Sequence, residues 1–127
     1  MSNAKYAEIL EQSSVPKKVW KTALYLRLSR DDGTESESNS IASQREILKE
    51  YIKRYPDMEI YDIYVDDGYS GTNFDRPDFN RMMDDIYAHK VNCVLVKDLS
   101  RFSRNHTEGG IYLDKIFVKL GVRFIAI

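Results

Sequence analysis

Residues Lys21 to Leu28 read KTALYLRL, with leucine at every second position from 24 to 28. A period of two is typical of a β-strand, because successive side chains of a strand point to opposite faces. Tyr25 and Arg27, followed by Ser29, then share the other face. We take this segment as the first strand and interpret the rest of the chain outward from it.

Helical and strand patterns alternate after this strand, which predicts an α/β fold with a mainly parallel central sheet and helices on both faces. Residues 1 to 20 precede the pattern as an N-terminal extension. The further predicted strands are Glu59 to Asp66, Asn92 to Lys97 and Val122 to Ile127. The first predicted helix starts at Ser40 and ends before Pro56, and the second starts at Pro77 and buries Phe79, Met82, Met83 and Ile86. The third turns Leu113, Ile116, Phe117 and Leu120 inward and stops at Gly121.

Polar clusters lie at the carboxyl ends of the first three predicted strands. They are Ser29 to Asp32, Asp66 to Arg76 and Lys97 to Arg104. The carboxyl ends of parallel strands meet at one edge of a sheet, and ligands of open α/β sheets bind there. We therefore expect these distant residues to form one site.

The composition predicts one ordinary globular domain. The chain has 127 residues, 43% of them hydrophobic, and its 19 basic and 20 acidic residues leave a formal net charge of -1. Such a balance excludes a bulk cationic field, so any contact with DNA must be local. The single cysteine, Cys93, lies in an apolar stretch and suits a reducing compartment. No apolar run reaches the roughly 18 residues that span a bilayer, so we expect a soluble, cytoplasmic protein without a membrane segment.

The predicted edge of the sheet combines charges suited to phosphate with exposed hydroxyls. Guanidinium groups stay charged at any working pH, and their geometry matches phosphate oxygens. Such a cluster around one hydroxyl favours phosphoryl transfer, with Ser29 as the nucleophile and arginines stabilising the transition state without a metal. Arg101 and Arg104, three residues apart, would share a face if their segment is helical. The candidate residues are Arg27, Arg76, Arg101, Arg104, Ser29, Ser70, Asp67 and Asp98.

Each of these residues also has an ordinary structural interpretation. A single arginine is more often part of a surface ion pair, Ser70 a turn residue and Gln44 a helix-start cap. A non-enzymatic, receiver-like interaction module would need none of the chemistry. A metal-dependent nuclease or phosphotransfer domain would instead gather carboxylates into a cage for a divalent cation. The candidates for that cage are Asp31, Asp32, Asp66, Asp67 and Asp98.

Four ordered motifs resemble the catalytic domain of the serine site-specific recombinases. They are YLRLS at 25–29, SIASQR at 40–45, DGYSGTNFDRP at 67–77 and VKDLSRFSRN at 96–105. The chain is most similar to the large serine recombinases of integrative elements and transposons. The resemblance covers residues 21 to 127 and implies a resolvase-like catalytic domain there.

This resemblance implies roles for individual residues. Ser29 matches the family nucleophile, which attacks a DNA phosphodiester to give a 5′-phosphoserine link and a free 3′-hydroxyl. The arginines that match the phosphate-binding positions are Arg27, Arg76, Arg101 and Arg104, and the supporting positions are Tyr25, Gln44, Asp67 and Ser70. No metal and no other cofactor is implied.

Two departures from the family pattern have consequences. Ser100 stands where many small resolvases have aspartate, so Asp98, Ser100 or neither handles the proton of the leaving group. The family also continues from its last strand into a long helix and DNA-binding domains. We therefore expect this chain to be a truncated catalytic domain that binds double-stranded DNA weakly and recombines it poorly. The resemblance implies homodimers and homotetramers for the full-length protein.

Overall fold

The structure is a computed structural model that describes residues 18–29 and 39–127. Most of the predicted N-terminal extension and residues 30–38, including Asp31 and Asp32, lie outside the described residues. Four strands form one sheet in the order β2-β1-β3-β4, and every neighbouring pair is parallel, which confirms the predicted sheet. The strands are β1 (Trp20–Leu28), β2 (Met58–Asp67), β3 (Cys93–Val96) and β4 (Arg123–Ala126).

Strand β1 lies inside the sheet and contributes to hydrophobic clusters on both of its faces. Ala23 and Tyr25 belong to one cluster, whereas Leu24 and Leu26 belong to the other, as the period of two predicts. Because helices cover both faces, six consecutive residues of β1 are buried.

The first two helices confirm their sequence signals. Helix α1 (Ile41–Lys53) begins after Ser40, whose side chain accepts a hydrogen bond from the amide of Ser43. Helix α2 (Pro77–Tyr87) has proline at its first position, where the missing amide donor carries no penalty. It buries the four apolar residues that the spacing predicts, Phe79, Met82, Met83 and Ile86.

The chain after β3 differs from the prediction in two places. A four-residue helix, α3 (Leu99–Phe102), follows the strand, where the sequence showed no separate helical element. The predicted third helix is then interrupted: α4 (His106–Ile111) leads into a π-helical segment (Tyr112–Ile116) and α5 (Phe117–Leu120).

The end of this helical stretch confirms its stop signal. Gly121 has a φ of 69°, the left-handed conformation that glycine adopts at a helix end. Phe117 is buried as predicted, but Leu113, Ile116 and Leu120 are only partly buried against the cluster on that face. No helix within 18–29 and 39–127 is both long and apolar enough to cross a membrane.

Candidate active site

Arg27 joins the end of β1 to the two predicted polar clusters that follow β2 and β3 at the carboxyl edge of the sheet. Its side chain extends from the end of β1, is fully buried, and donates to backbone carbonyls of Tyr69, Ser100 and Arg101. Tyr69 follows β2, and the other two residues lie in α3 after β3. The expected convergence of these segments is therefore confirmed.

Arg101 completes this link in the opposite direction. Its Nη1 donates to the carbonyl oxygen of Arg27 at 3.0 Å, and its Nε and Nη2 contact Ser100 Oγ at 3.3 and 3.1 Å. Its exposed fraction is only 3%. The guanidinium thus holds the end of β1 two residues before Ser29.

Asp98 and Ser100 form a hydrogen-bonded pair beside Arg101. The Ser100 hydroxyl donates to Asp98 Oδ1. Burial alone would raise the pKa of Asp98, but the Ser100 hydrogen bond and the charges of Arg101 and Lys97 outweigh it and lower that pKa. Asp98 is therefore a carboxylate at neutral pH and acts as an acceptor.

Arg76 is fully buried and holds the loop after β2 onto the segment after β3. Its Nε contacts the carbonyls of Ser70 and Asn73 at 3.1 and 2.9 Å, and its Nη1 donates to the carbonyl of Phe102 at 2.6 Å. The guanidinium carbon lies 4.6 Å from the Phe74 ring centroid, within cation–π range. Its Nη2 is buried with no hydrogen-bond partner in the described part of the chain.

A buried carboxylate, Asp66, lies beside Arg76. The Tyr25 hydroxyl donates to Asp66 Oδ2 at 2.8 Å and accepts from Arg76 Nη1 at 3.2 Å, so it bridges the two charges. Asp66 also accepts from the amides of Asp78 and Phe79 at the start of α2, where a helix favours negative charge. This carboxylate therefore positions the helix as well as the tyrosine.

The Tyr25 hydroxyl keeps the proton that it donates to Asp66. Burial and the neighbouring Asp66 charge raise the pKa of its hydroxyl well above the usual range, although Arg76 opposes the shift. The phenol therefore stays protonated at any working pH. It serves as a hydrogen-bond donor and not as a nucleophile.

Asp66 is a site residue whose only role predicted from the sequence was that of a metal ligand. The predicted supporting residue, Asp67, is exposed, whereas Asp66 is buried. Strand alternation carried a usable signal, since Asp66 lies two residues after Tyr64 and shares its inward face. Within the described residues, no three His, Cys, Asp or Glu side chains gather into a group that could hold a metal.

Gln44 fixes the backbone that leads to Ser29. Its Nε2 donates to the carbonyls of Arg27 and Asn39 at 3.0 and 2.7 Å, and its Oε1 accepts from the Arg27 amide at 3.3 Å. Gln44 is completely buried, and Ser29 is 8% exposed. The Gln44 side chain therefore bonds both to β1 and to the residue before the N-cap of its own helix, so it does more than the cap that the sequence also allowed.

Arg104 differs from the other three arginines because its residue is exposed. Helix α3 ends at Phe102, and Ser103 is extended with a φ of -158°. Arg101 and Arg104 therefore do not share a helical face, because the helical segment on which that prediction depended ends before Arg104. The Arg104 amide donates to the carbonyl of Gly71 at 2.7 Å, which keeps the residue at the same edge.

The loop after β2 carries Ser70 in a local turn. Ser70 Oγ lies 2.7 Å from Thr72 Oγ1 and accepts from the Thr72 amide at 3.1 Å. This is the ordinary turn role that the sequence allowed. The next residue, Gly71, packs directly against the Arg27 guanidinium.

Gly71→Ala should disturb Arg27 while leaving the domain folded. A β-carbon at position 71 would lie 2.6 Å from Arg27 Nη2 and 2.9 Å from its Cζ, so one group must move. We expect the DNA cleavage that the resemblance implies to slow about tenfold or more, because small displacements at a reacting centre have large effects on rate. Single-turnover cleavage rates and circular dichroism would measure the two properties.

Gly110→Ala is the matched control for this substitution. Gly110 lies in α4, and the nearest atom to an added β-carbon is Asp114 Oδ2 at 3.7 Å, an ordinary contact. We expect cleavage at the wild-type rate. Equal rates for the two alanine variants would contradict the role given to the close contact between Gly71 and Arg27.

Solved structures of other proteins share the fold of this chain. The N-terminal catalytic domain of TP901-1 integrase matches with a TM-score of 0.74 and 30% identity, over 84% of this chain and 75% of that one. A resolvase family site-specific recombinase from Streptococcus pneumoniae matches with a TM-score of 0.66 and 37% identity, over 85% and 72%. A serine recombinase from Sulfolobus solfataricus matches with a TM-score of 0.64 and 25% identity, over 85% and 68%. No curated protein matches.

The parallel sheet is therefore that of a serine recombinase catalytic domain. The chain belongs to the family described as "Resolvase, N terminal domain", whose model matches residues 22–127. Enzymes of this family cleave and rejoin DNA through a covalent phosphoserine intermediate. This membership confirms the resemblance seen in the sequence and leaves no support for a receiver-like module.

Proposed function

We propose that Ser29 is the nucleophile of this recombinase domain. In the cleavage step a bond forms between Ser29 Oγ and the DNA phosphorus, and the bond from phosphorus to the 3′ oxygen breaks. The serine gives up a proton and the 3′ oxygen takes one up, and reversal of the step rejoins the strand. The observation that carries the proposal is the arginine cluster at the end of β1, where Arg101 holds the carbonyl of Arg27 two residues before Ser29.

The four arginines stabilise the phosphate during this step. Charge builds on the non-bridging oxygens, and fixed guanidiniums offset it without reorganisation. Backbone carbonyls orient Arg27 without neutralising its charge. Arg104 is the exposed member of the set, so it meets the DNA first. Since Arg27, Arg76 and Arg101 are buried, residues around them must move for the phosphate to reach them.

The remaining candidate residues support the reaction. Tyr25 contacts the Arg76 guanidinium, and Gln44 holds the backbone at the end of β1. Ser70 stabilises the turn in the loop after β2. Asp67 lies exposed at the end of β2, at the same edge of the sheet. We assign to the Asp98 and Ser100 pair the orientation of Arg101, because Asp98 accepts from the Ser100 hydroxyl and the Ser100 oxygen accepts from the Arg101 guanidinium.

The proposed partners are double-stranded DNA and further copies of the same protein. Residues 21–127 would form the catalytic domain and residues 1–20 an extension, within a longer recombinase that integrates or excises a mobile element. That protein would act as homodimers and homotetramers in the cytoplasm. A net charge of -1 leaves little nonspecific attraction to DNA, so binding by this chain alone should be weak and sensitive to salt.

Cleavage in a chelator separates this proposal from a metal-dependent nuclease. A version of the protein extended by the family's C-terminal segments would be mixed with nicked substrate DNA, with and without EDTA. We expect equal rates of cleavage, because guanidiniums supply the positive charge. Cleavage that stops in EDTA and returns with Mg²⁺ would contradict the proposal and favour the carboxylate alternative.

A further inference from the structure

Lys97 is a charged residue of the site edge to which the mechanism above gives no role. It follows the last residue of β3 and is only partly exposed. Its Nζ donates to Asn39 Oδ1 at 2.7 Å and lies 4.0 Å from Asp98 Oδ2. Asn39 is the first described residue after position 29, and it comes two residues before helix α1.

Asn39 connects Lys97 to the backbone before Ser29. The carbonyl oxygen of Asn39 accepts from Gln44 Nε2 at 2.7 Å, while the same nitrogen donates to the carbonyl of Arg27 at 3.0 Å. The chain of contacts therefore runs from β3 through Asn39 and Gln44 to β1. Each contact joins residues at least five positions apart in the sequence, so the chain links separate elements.

We propose that Lys97 is a positioning residue for Ser29, acting through Asn39 and Gln44. By fixing Asn39 it holds the Gln44 amide against Arg27, and this sets where the backbone leaves β1 toward Ser29. The role in the reaction rests on the proposed function of Ser29. The physical contact between Lys97 and Asn39 can be tested without activity.

A direct contact between Lys97 and a DNA phosphate is the competing explanation. Loss of such a contact would weaken DNA binding and its dependence on salt, whatever residue stands at position 39. A positioning role predicts a slower chemical step at saturating DNA instead. It also predicts that substitutions at positions 97 and 39 are not additive, because both remove the same contact.

The experiment compares Lys97→Met, Asn39→Ala and the double variant in the extended protein. We expect each to slow covalent adduct formation about tenfold at saturating DNA, with the double variant no slower than either single one and DNA affinity unchanged. Lys97→Arg and Asn39→Asp keep the donor and the acceptor, so they should restore most of the rate. Lys119→Met, which replaces an exposed lysine of α5, is the matched control and should match wild type.

Hydrogen exchange of the Arg27 amide gives the readout that is independent of activity. This amide donates to Gln44 Oε1, so Lys97→Met should speed its exchange several-fold in the 127-residue chain while the amides of α2 stay as protected as in wild type. Unchanged exchange at Arg27 would overturn the inference, as would additive rate losses or a loss of DNA affinity alone. A wild-type protein that forms no adduct, combined with faster Arg27 exchange in the variant, would instead overturn the role of Ser29 and leave the contact standing.

Discussion

Ser29→Ala should lower the rate of DNA cleavage by on the order of 10⁴-fold or more, since loss of a nucleophile removes the covalent step itself. The substitution removes one oxygen from a residue that is 8% exposed, so the fold should be kept. DNA binding should also persist, because the arginines that meet the phosphate are unchanged. Single-turnover cleavage of nicked DNA by the extended protein, beside a thermal melt, would measure both properties.

Ser43→Ala is a suitable control for the loss of a hydroxyl. Ser43 lies in the first turn of α1 and uses its backbone amide, not its hydroxyl, to bind Ser40. We expect wild-type cleavage from this variant. A Ser29→Ala protein that keeps a tenth or more of the wild-type rate would show that another group attacks the DNA.

Arg76→Met should destabilise the folded domain by about 3–5 kcal/mol, the range for removing one partner of a buried charged network. The substitution leaves the carbonyls of Ser70, Asn73 and Phe102 without the donor they share. It also removes the positive charge that Tyr25 connects to the buried Asp66. Methionine fills much of the same volume, so the effect reports polar contacts more than a cavity.

Urea denaturation of the 127-residue chain would measure this change in the free energy of unfolding. Arg104→Met provides the contrast, because Arg104 is exposed. That variant should unfold near the wild-type midpoint and yet cleave DNA more slowly. If Arg76→Met unfolded at the wild-type midpoint too, Arg76 would not have the structural role that its burial indicates.

The sequence predicted the sheet and the meeting of its polar ends because both follow from local patterns. Alternation in β1 and helical spacing after Ser40 and Pro77 are properties of short segments. Once the strands are parallel, Ser29 and Arg101 must lie at the same edge. The contact between Arg101 and the carbonyl of Arg27 is a direct consequence of that topology.

Features that depend on tertiary packing could not be read from the sequence. Helix α3 has four residues, too few for a periodic pattern, and it ends where Ser103 turns to an extended conformation. The π-helical segment lies where Tyr112 packs against the rings of Phe74 and Phe79, which come from another part of the chain.

The burial of the arginines could not be predicted from the sequence either. A single arginine is more often part of a surface ion pair, yet Arg27 and Arg76 are fully buried, and backbone carbonyls accept their hydrogen bonds. The choice between Asp66 and Asp67 likewise depends on which carboxylate meets the start of α2. Neighbouring residues of a strand point to opposite faces, so only one of the two could do so.

The site of covalent attachment is the most direct test of the catalytic role of Ser29. The extended protein would be trapped on nicked DNA in EDTA, digested with protease and nuclease, and the modified peptide sequenced by mass spectrometry. We expect one DNA-linked peptide, with the 5′ phosphate on Ser29 and a free 3′-hydroxyl on the other DNA end. A phosphate on a tyrosine or on another serine, or cleaved DNA with no attached protein, would contradict the proposed mechanism.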